Sequence, residues 1–322
     1  MTAIDKLKEV SAFLESKGIE DSAKEAEMLI TETLHIDKSK LYAGSLEISE
    51  DTSKQIDTLT ARRANGEPIQ YIIGHVDFYG LKINVGKGVL IPRPETELLV
   101  EEVIKAISNQ QSAISKEKLS FCCRLTADGC KLHILDLCTG SGCIAIAIAK
   151  HFPDADVYGV DKSDTAIQYA TRNATENNVR NVHFIKGDLF SISWDSPEST
   201  TPIGVRNSGT VPMFAVHYFD CIVSNPPYIK TDDIQNLQRE IKDYEPVDAL
   251  NGGEDGLDFY RRIFENAHKF LKENGIIILE IGHDQADDME KIAMNAGFKN
   301  VTFIKDYAGI KRIFIGRKNE AK

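Results

Sequence analysis

"LHILDLCTGSGCIAIAIAKHF" occupies residues 132 to 152, and its three parts differ in kind. The first, LHILDLC, carries Ile134, Leu135 and Leu137 on both sides of an extended chain, as a strand buried on both faces requires. The second, D136-L-C-T-G-S-G142, is a turn in which glycines let the backbone approach a ligand closely. The third, CIAIAIAKHF, reads as a helix whose first N–H groups have no intrahelical partners and stand beside that turn. Strands and helices then alternate: DVYGVD, a helix from Ser163 to Asn177, VHFIKGD, FDCIVSN, a helix around Leu257 to Glu273, GIIILEIG and a helix from Gln285 to Ala296. Alternation of this kind implies an α/β domain with a mostly parallel sheet covered by helices on both faces. The closing runs VTFIKD and KRIFIGR suggest an antiparallel edge hairpin.

Three carboxylates, Asp136, Asp161 and Asp188, end successive strands, where open α/β sheets bind ligands. Asp161 falls twenty-five residues after Asp136, where an acidic side chain grips ribose hydroxyls. Acidic groups around the turn discourage a pyrophosphate and suit a ligand with a positive charge and a ribose. S-adenosyl-L-methionine has both, so methyl transfer is favoured over dinucleotide chemistry.

The fourth strand runs into SNPPYI, residues 224 to 229. Two prolines cannot continue a strand ladder, so the strand stops and presents its end to the cofactor region. The Asn225 side-chain oxygen and the Pro226 carbonyl form two acceptors for the hydrogens of a planar –NH₂ group. Pro227 holds the turn, and Tyr228 is placed to stack on the amine plane. Such a nitrogen is a poor nucleophile, and hydrogen bonds to both hydrogens favour a more localised charge on it. Adenine N6, cytosine N4 and a glutamine side-chain amide all fit this chemistry.

Upstream, residues 1 to 74 read as helices. Ile4, Leu7, Val10, Phe13 and Leu14, then Ala23, Ala26, Leu29, Ile30 and Leu34, recur at helical spacing. Nine basic and fourteen acidic residues make this segment an acidic module. From His75 to Val89 the period falls to two, with Gly80 and Gly86 as turn residues, which predicts a β-hairpin. In IPRPETELLVEEVIKAI, Pro92 and Pro94 hold the chain extended, and Glu95 and Glu97 open a helix.

These runs together resemble the release factor glutamine methyltransferases. The resemblance rests on RRANGEPIQYIIG (62–74), GVLIPRPETELLVE (88–101), DLCTGSGCIAIAIA (136–149), SNPPYI, EPVDALNGGEDGLDFYRRI (245–263) and LEIG (279–282). It implies a seven-stranded, Rossmann-like methyltransferase domain with a small N-terminal all-helical domain joined by a β-hairpin. The divisions are a substrate-recognition domain at 1–74, a linker at 75–95 and a catalytic domain at 96–322.

By position, the resemblance assigns Cys138, Thr139, Gly140, Ser141 and Gly142 to the backbone cradle for the methionine end of S-adenosyl-L-methionine, which leaves as S-adenosyl-L-homocysteine. Asp161 would hold the ribose, with Asp136 nearby, and Asp188 with Leu189 would border the adenine. Asn225 to Tyr228 would receive the glutamine of the Gly-Gly-Gln loop of peptide chain release factors, with Asn225 also beside the cofactor and Asn225, Pro226 and Tyr228 catalytic. Cys138 stands where such cradles commonly carry a glycine, and it fits if its φ is negative.

A net charge of −11 argues against a long nucleic-acid groove, although an adenine N6 methyltransferase of DNA or RNA would use the same NPPY chemistry. A cytoplasmic monomer without membrane contact is expected. Six cysteines show no disulfide framework, and the set Cys122, Cys123, Cys130 and His133 has poor ligand geometry, so no metal is expected. The polar stretches 108–130 and 191–214 read as surface insertions, with Trp194 an anchor for the second.

Overall fold

A computed structural model describes residues 1–117, 131–192 and 219–318, with only the backbone described over 110–117. Most of both polar stretches, with Cys122, Cys123, Cys130 and Trp194, lies outside the described residues. The chain divides into two compact units. One is Met1–His75 with Val85–Lys87 and Leu237–Glu245; the other is Val76–Asn84, Gly88–Asn236 and Pro246–Lys322.

In the first unit, α1 (Ala3–Ser16), α2 (Ser22–Leu34), α3 (Lys38–Tyr42), α4 (Glu50–Ala64) and α5 (Ile69–Ile73) follow one another. Thr2 and Asp5 close a capping box at the start of α1, and the Ser49 hydroxyl caps α4. The shared core holds Leu7, Val10, Leu14, Ala26, Leu29, Ile30, Leu41 and Ile56. The stripe on α1 is shifted from the expected one: Phe13 is 42% exposed, and Lys6 is buried. Lys6 offsets its desolvation by donating from Nζ to Asp57 (2.5 Å) and Glu9 (3.2 Å). A second buried charge, Arg63, donates from Nε and Nη2 to both oxygens of Glu25 (2.5 and 3.0 Å) and lies 2.9 Å from Glu240. Glu240 comes from a short helix at Arg239–Tyr244, and with it this unit draws on chain far downstream.

From Val76 on, the second unit holds a hairpin of β1 (His75–Phe78) and β2 (Leu81–Asn84), whose first residue closes the first unit. Tyr79 (φ 49°) and Gly80 (φ 70°) make its turn, both central residues left-handed as a two-residue hairpin loop of this hand demands. Within the expected linker, the hairpin is fastened at the end of β2. Asn84 donates from its backbone and side chain to Asn173 Oδ1 (2.7 and 2.8 Å), and Asn173 Nδ2 donates back to the Asn84 carbonyl (3.0 Å).

The main sheet has the order β6-β5-β4-β3-β7-β8-β10-β9. Its members are β3 (His133–Leu137), β4 (Asp156–Asp161), β5 (Val182–Asp188), β6 (Ser191–Ile192), β7 (Phe219–Ser224), β8 (Leu271–Glu280), β9 (Phe298–Lys305) and β10 (Lys311–Lys318). The expected seven strands are present, and the two-residue β6 adds an eighth by folding back antiparallel on Gly187 and Asp188. Strands β5, β4, β3, β7 and β8 pair in parallel, and the closing hairpin pairs antiparallel, with β10 against β8.

Helices α6 (Glu95–Glu117) and α7 (Cys143–His151) pack together, and α8 (Asp164–Glu176) lies against β4 and β5. Helices α9 (Asp258–Phe270) and α10 (Ala286–Asn295) pack with β8 to β10. From Cys143 to Ala149 every residue of α7 is buried, which explains its lack of a polar face.

Two expectations need correction. Helix α6 continues through Glu117, so 108–117 is helical; no glycine or proline interrupts it, and Ser and Gln are only mildly unfavourable there. Strand β8 starts at Leu271, four residues before the apolar run, with a register shift against β7 between Phe219 and Cys221 that absorbs the polar KENG.

Arg63 supplies a test of the first unit. Arg63→Ala should destabilise it by about 3 kcal/mol, because Glu25 is left buried without its partner, whereas Arg63→Met with Glu25→Leu should lose much less; urea unfolding of the single and double variants measures both.

Candidate active site

Strand β3 has β4 on one side and β7 on the other, so chain direction across the sheet reverses at its C-terminal end and opens a crevice there. A cavity of about 510 Å³ occupies it, lined by Cys138, Thr139, Gly140, Ser141, Asp161 and Asn225 among others.

The cradle is shaped by backbone conformation. Cys138 (φ 57°), Gly140 (φ 54°) and Gly142 (φ 79°) are left-handed, so the expectation of a negative φ at Cys138 is overturned. Cysteine tolerates this at a cost of about 1 kcal/mol because it is not branched at Cβ. Burial pushes its thiol pKa up, so it is a packed, protonated thiol rather than a nucleophile. At Gly142 a methyl group would come within 2.9 Å of Ala170 and Phe184, so the start of α7 is seated directly on α8.

Asp161 braces the loop from across the cavity mouth. Its Oδ2 accepts from the Gly140 N–H and its Oδ1 from the Ser163 N–H, each at 2.9 Å. Burial raises its carboxyl pKa, and those two N–H groups oppose the rise. Both oxygens keep lone pairs for a ligand hydroxyl.

Asp136 departs from its expected role. It is fully buried beneath the cradle and is not on the cavity wall. Its Oδ2 accepts from the Thr139 hydroxyl at 2.6 Å, the Ala145 N–H also lies near the carboxyl, and Oδ1 has no well-formed hydrogen bond among the described residues. Desolvation pushes its pKa up to about 7. It shapes the turn from below. Asp188 and Leu189 do line the cavity, and Asp188 Oδ2 accepts from Arg262 at 2.7 Å.

The SNPPYI segment divides differently from expectation. Asn225 and Pro227 line the cavity; Pro226 and Tyr228 do not. Cavity-lining residues thus alternate along the segment, as side chains do along a strand. Tyr228 lines a separate cavity of about 520 Å³, and its hydroxyl donates to Glu280 Oε1 at 3.3 Å. Its ring is therefore not among the residues that line the cavity beside Asn225.

The loop is held by the GGEDGL run. Ile229 N–H donates to the Leu250 carbonyl (2.9 Å) and Gly252 N–H to the Ile229 carbonyl (2.8 Å). Gln285 Nε2 donates to the carbonyls of Tyr228 (3.0 Å) and Gly256 (3.1 Å). A Cβ at Gly252 would lie 2.8 Å from the Tyr228 Cα, so only glycine fits that contact.

Two further residues complete the site. Asn225 Nδ2 donates to Thr96 Oγ1 (3.1 Å), and Thr96 Oγ1 donates to Glu280 Oε2 (2.8 Å). Glu280 is buried, and desolvation pushes its pKa up to about 7, with the Thr96 and Tyr228 hydroxyls pulling the other way. Sequence reasoning assigned neither residue a role, although both sit in runs singled out above, PETE and LEIG. Phe259 and the 246–249 segment also line the cavity.

A parallel sheet with a glycine-bearing cradle after its central strand, an acidic residue after the next and NPPY after the fourth defines the methyltransferase class. Residues 130–287 match the family described as "Methyltransferase domain", and residues 5–74 match "PrmC N-terminal domain". The release factor glutamine methyltransferase of Thermodesulfovibrio yellowstonii is 44% identical, covering 100% of both chains. That of Geobacter sulfurreducens is 36% identical over 95% of this chain and 93% of its own. The chain belongs to the release factor glutamine methyltransferase family. Among solved structures, the protein-(glutamine-N5) methyltransferase (release factor-specific) of Alicyclobacillus acidocaldarius is 26% identical over 74% of this chain and 100% of its own, with a TM-score of 0.36. Among the described residues no helix is long and apolar enough to cross a membrane.

Two measurements test the cradle. Cys138→Gly should change stability by less than about 1 kcal/mol, whereas Cys138→Val, branched at Cβ in a left-handed position, should lose more than about 2 kcal/mol in chemical unfolding. For Asp136 the folded protein keeps a proton that the unfolded chain loses between about pH 4 and pH 7. Stability therefore falls as pH rises through that window and levels above it. Asp136→Asn should gain relative to wild type by roughly 4 kcal/mol across the window, with no further change above, in unfolding curves taken at several pH values.

Proposed function

We propose that this protein transfers a methyl group from S-adenosyl-L-methionine to the side-chain nitrogen of the glutamine in the Gly-Gly-Gln loop of peptide chain release factors. Family membership supports the reaction, and the observation that carries the chemistry is the orientation of Asn225. Its Nδ2 is held by Thr96, so Oδ1, which has no donor among the described residues, is left for an incoming –NH₂ group.

The cavity suits the cofactor by its size and donors. The left-handed backbone at Cys138, Gly140 and Gly142 leaves room for close approach, Asp161 offers lone pairs to ribose hydroxyls, and Asp188 with Leu189 borders the cavity. When bound, S-adenosyl-L-methionine supplies an electrophilic methyl group on a sulfonium. The protein's part is to hold the amide nitrogen in line and hydrogen-bond both of its hydrogens. Asn225 Oδ1 takes one; the Pro226 carbonyl, which has no donor among the described residues, is the second acceptor in this reading. Such bonds favour charge localised on nitrogen, and the proton becomes acidic once the new N–C bond forms, so water suffices as its acceptor. Tyr228 acts here by holding the loop. The helical residues 1–74 are proposed to recognise the release factor. Their acidic balance, and that of the chain, disfavours an adenine N6 substrate in DNA or RNA.

Incubation with labelled cofactor and a release factor should place label on the Gly-Gly-Gln peptide; label on DNA or RNA alone would overturn the reading. Asn225→Ala should lower kcat by about 10²- to 10³-fold while calorimetry finds cofactor affinity within about threefold of wild type.

A further inference from the structure

We infer that Thr96 and Glu280 are positioning residues that decide which atom of the Asn225 carboxamide faces the substrate. The inference rests on the functional reading above. A carboxamide has nearly the same shape with its oxygen and nitrogen exchanged, so packing alone cannot choose between them. The choice must come from hydrogen bonding.

Glu280 ends β8 on the same face as Ile276 and Ile278, and Asn225 follows β7 on the same face as Cys221 and Val223. Thr96, in the first turn of α6, spans the two. With Glu280 ionised, both of its oxygens are acceptors only. The Thr96 hydroxyl must donate its one proton to Oε2, and the Tyr228 hydroxyl donates to Oε1. Thr96 Oγ1 then has only lone pairs to offer Asn225, so it receives the Nδ2 hydrogen and turns Oδ1 into the cavity. With a proton on Oε2, the chain reverses: Glu280 donates to Thr96, Thr96 donates to Asn225, and the carboxamide turns its –NH₂ toward the substrate –NH₂. Two donors then face each other, and methyl transfer stops.

The groups around Glu280 from other elements are Arg312 on β10, which favours the ionised form, Glu95 at the start of α6, which opposes it, and the hydroxyl of Tyr228. Cys143 on α7 and Tyr260 on α9 are neutral neighbours, and the Tyr260 hydroxyl donates to the Glu280 backbone carbonyl at 3.0 Å.

The test uses the full chain, a release factor as substrate, and the variants Thr96→Ser, Thr96→Val and Glu280→Gln. Thr96→Val keeps the shape and removes the relay, so kcat should fall about tenfold or more with cofactor affinity unchanged, while Thr96→Ser should stay within about threefold of wild type. Wild-type kcat should fall toward acid pH as Glu280 takes up a proton, and Glu280→Gln should lack that dependence. As a readout besides turnover, the Asn225 side-chain amide signals in a ¹H–¹⁵N spectrum should move with pH in wild type and stay fixed in Glu280→Gln. An active wild type with Thr96→Val as fast as Thr96→Ser, or with Asn225 signals indifferent to pH, overturns this inference alone. A wild type that leaves the glutamine unlabelled overturns the functional reading and this inference with it.

Discussion

The site depends first on the double pairing of β3. Ile134 to Leu137 pairs in parallel with Val157 to Val160 on one side and Cys221 to Ser224 on the other. That register brings the ends of three strands to one level, so the cradle after β3, Asp161 after β4 and Asn225 after β7 surround one crevice. The Ser224 hydroxyl, donating to the Leu137 carbonyl at 2.5 Å, adds a side-chain bond at the last pair of this ladder. A one-residue slip of β7 would send Asn225 to the opposite face.

On this frame the polar groups act in pairs separated by long stretches of chain. Asn173 joins the hairpin to the cradle, because its Nδ2 donates both to the Asn84 carbonyl and to the Ser141 carbonyl at 2.9 Å. Asp136 and Thr139 support the turn from beneath, and Glu280 and Thr96 support Asn225 from beside α6. The two carboxyls are buried by the same sheet that creates the crevice, and desolvation raises both.

Much of this arrangement was legible in the sequence, since period and turn chemistry reveal local structure. Alternating strands and helices gave the parallel sheet, the final runs gave its antiparallel edge, and the acidic ends of β4 and β5 gave two residues of the cavity wall. What escaped depends on direction or on distant partners. The left-handed φ of Cys138 is invisible in a residue type that usually avoids it. Asp136 looked like a ligand because it ends a strand, yet side-chain alternation sends it under the cradle. Tyr228, expected to stack on the amine, lines a different cavity for the same reason. Thr96 and Glu280 lie 184 residues apart, and only the folded sheet brings them to one hydrogen bond.

Gly252 carries a consequence for how such a chain can change over generations. The backbone of Tyr228 leaves no volume for any side chain at position 252, whatever its chemistry. The loop after β7 and the glycine run that seats it therefore form a single heritable object in two pieces of sequence. A lineage that altered the loop's path would free the glycines to drift, and one that lost the glycines would first have to abandon the path.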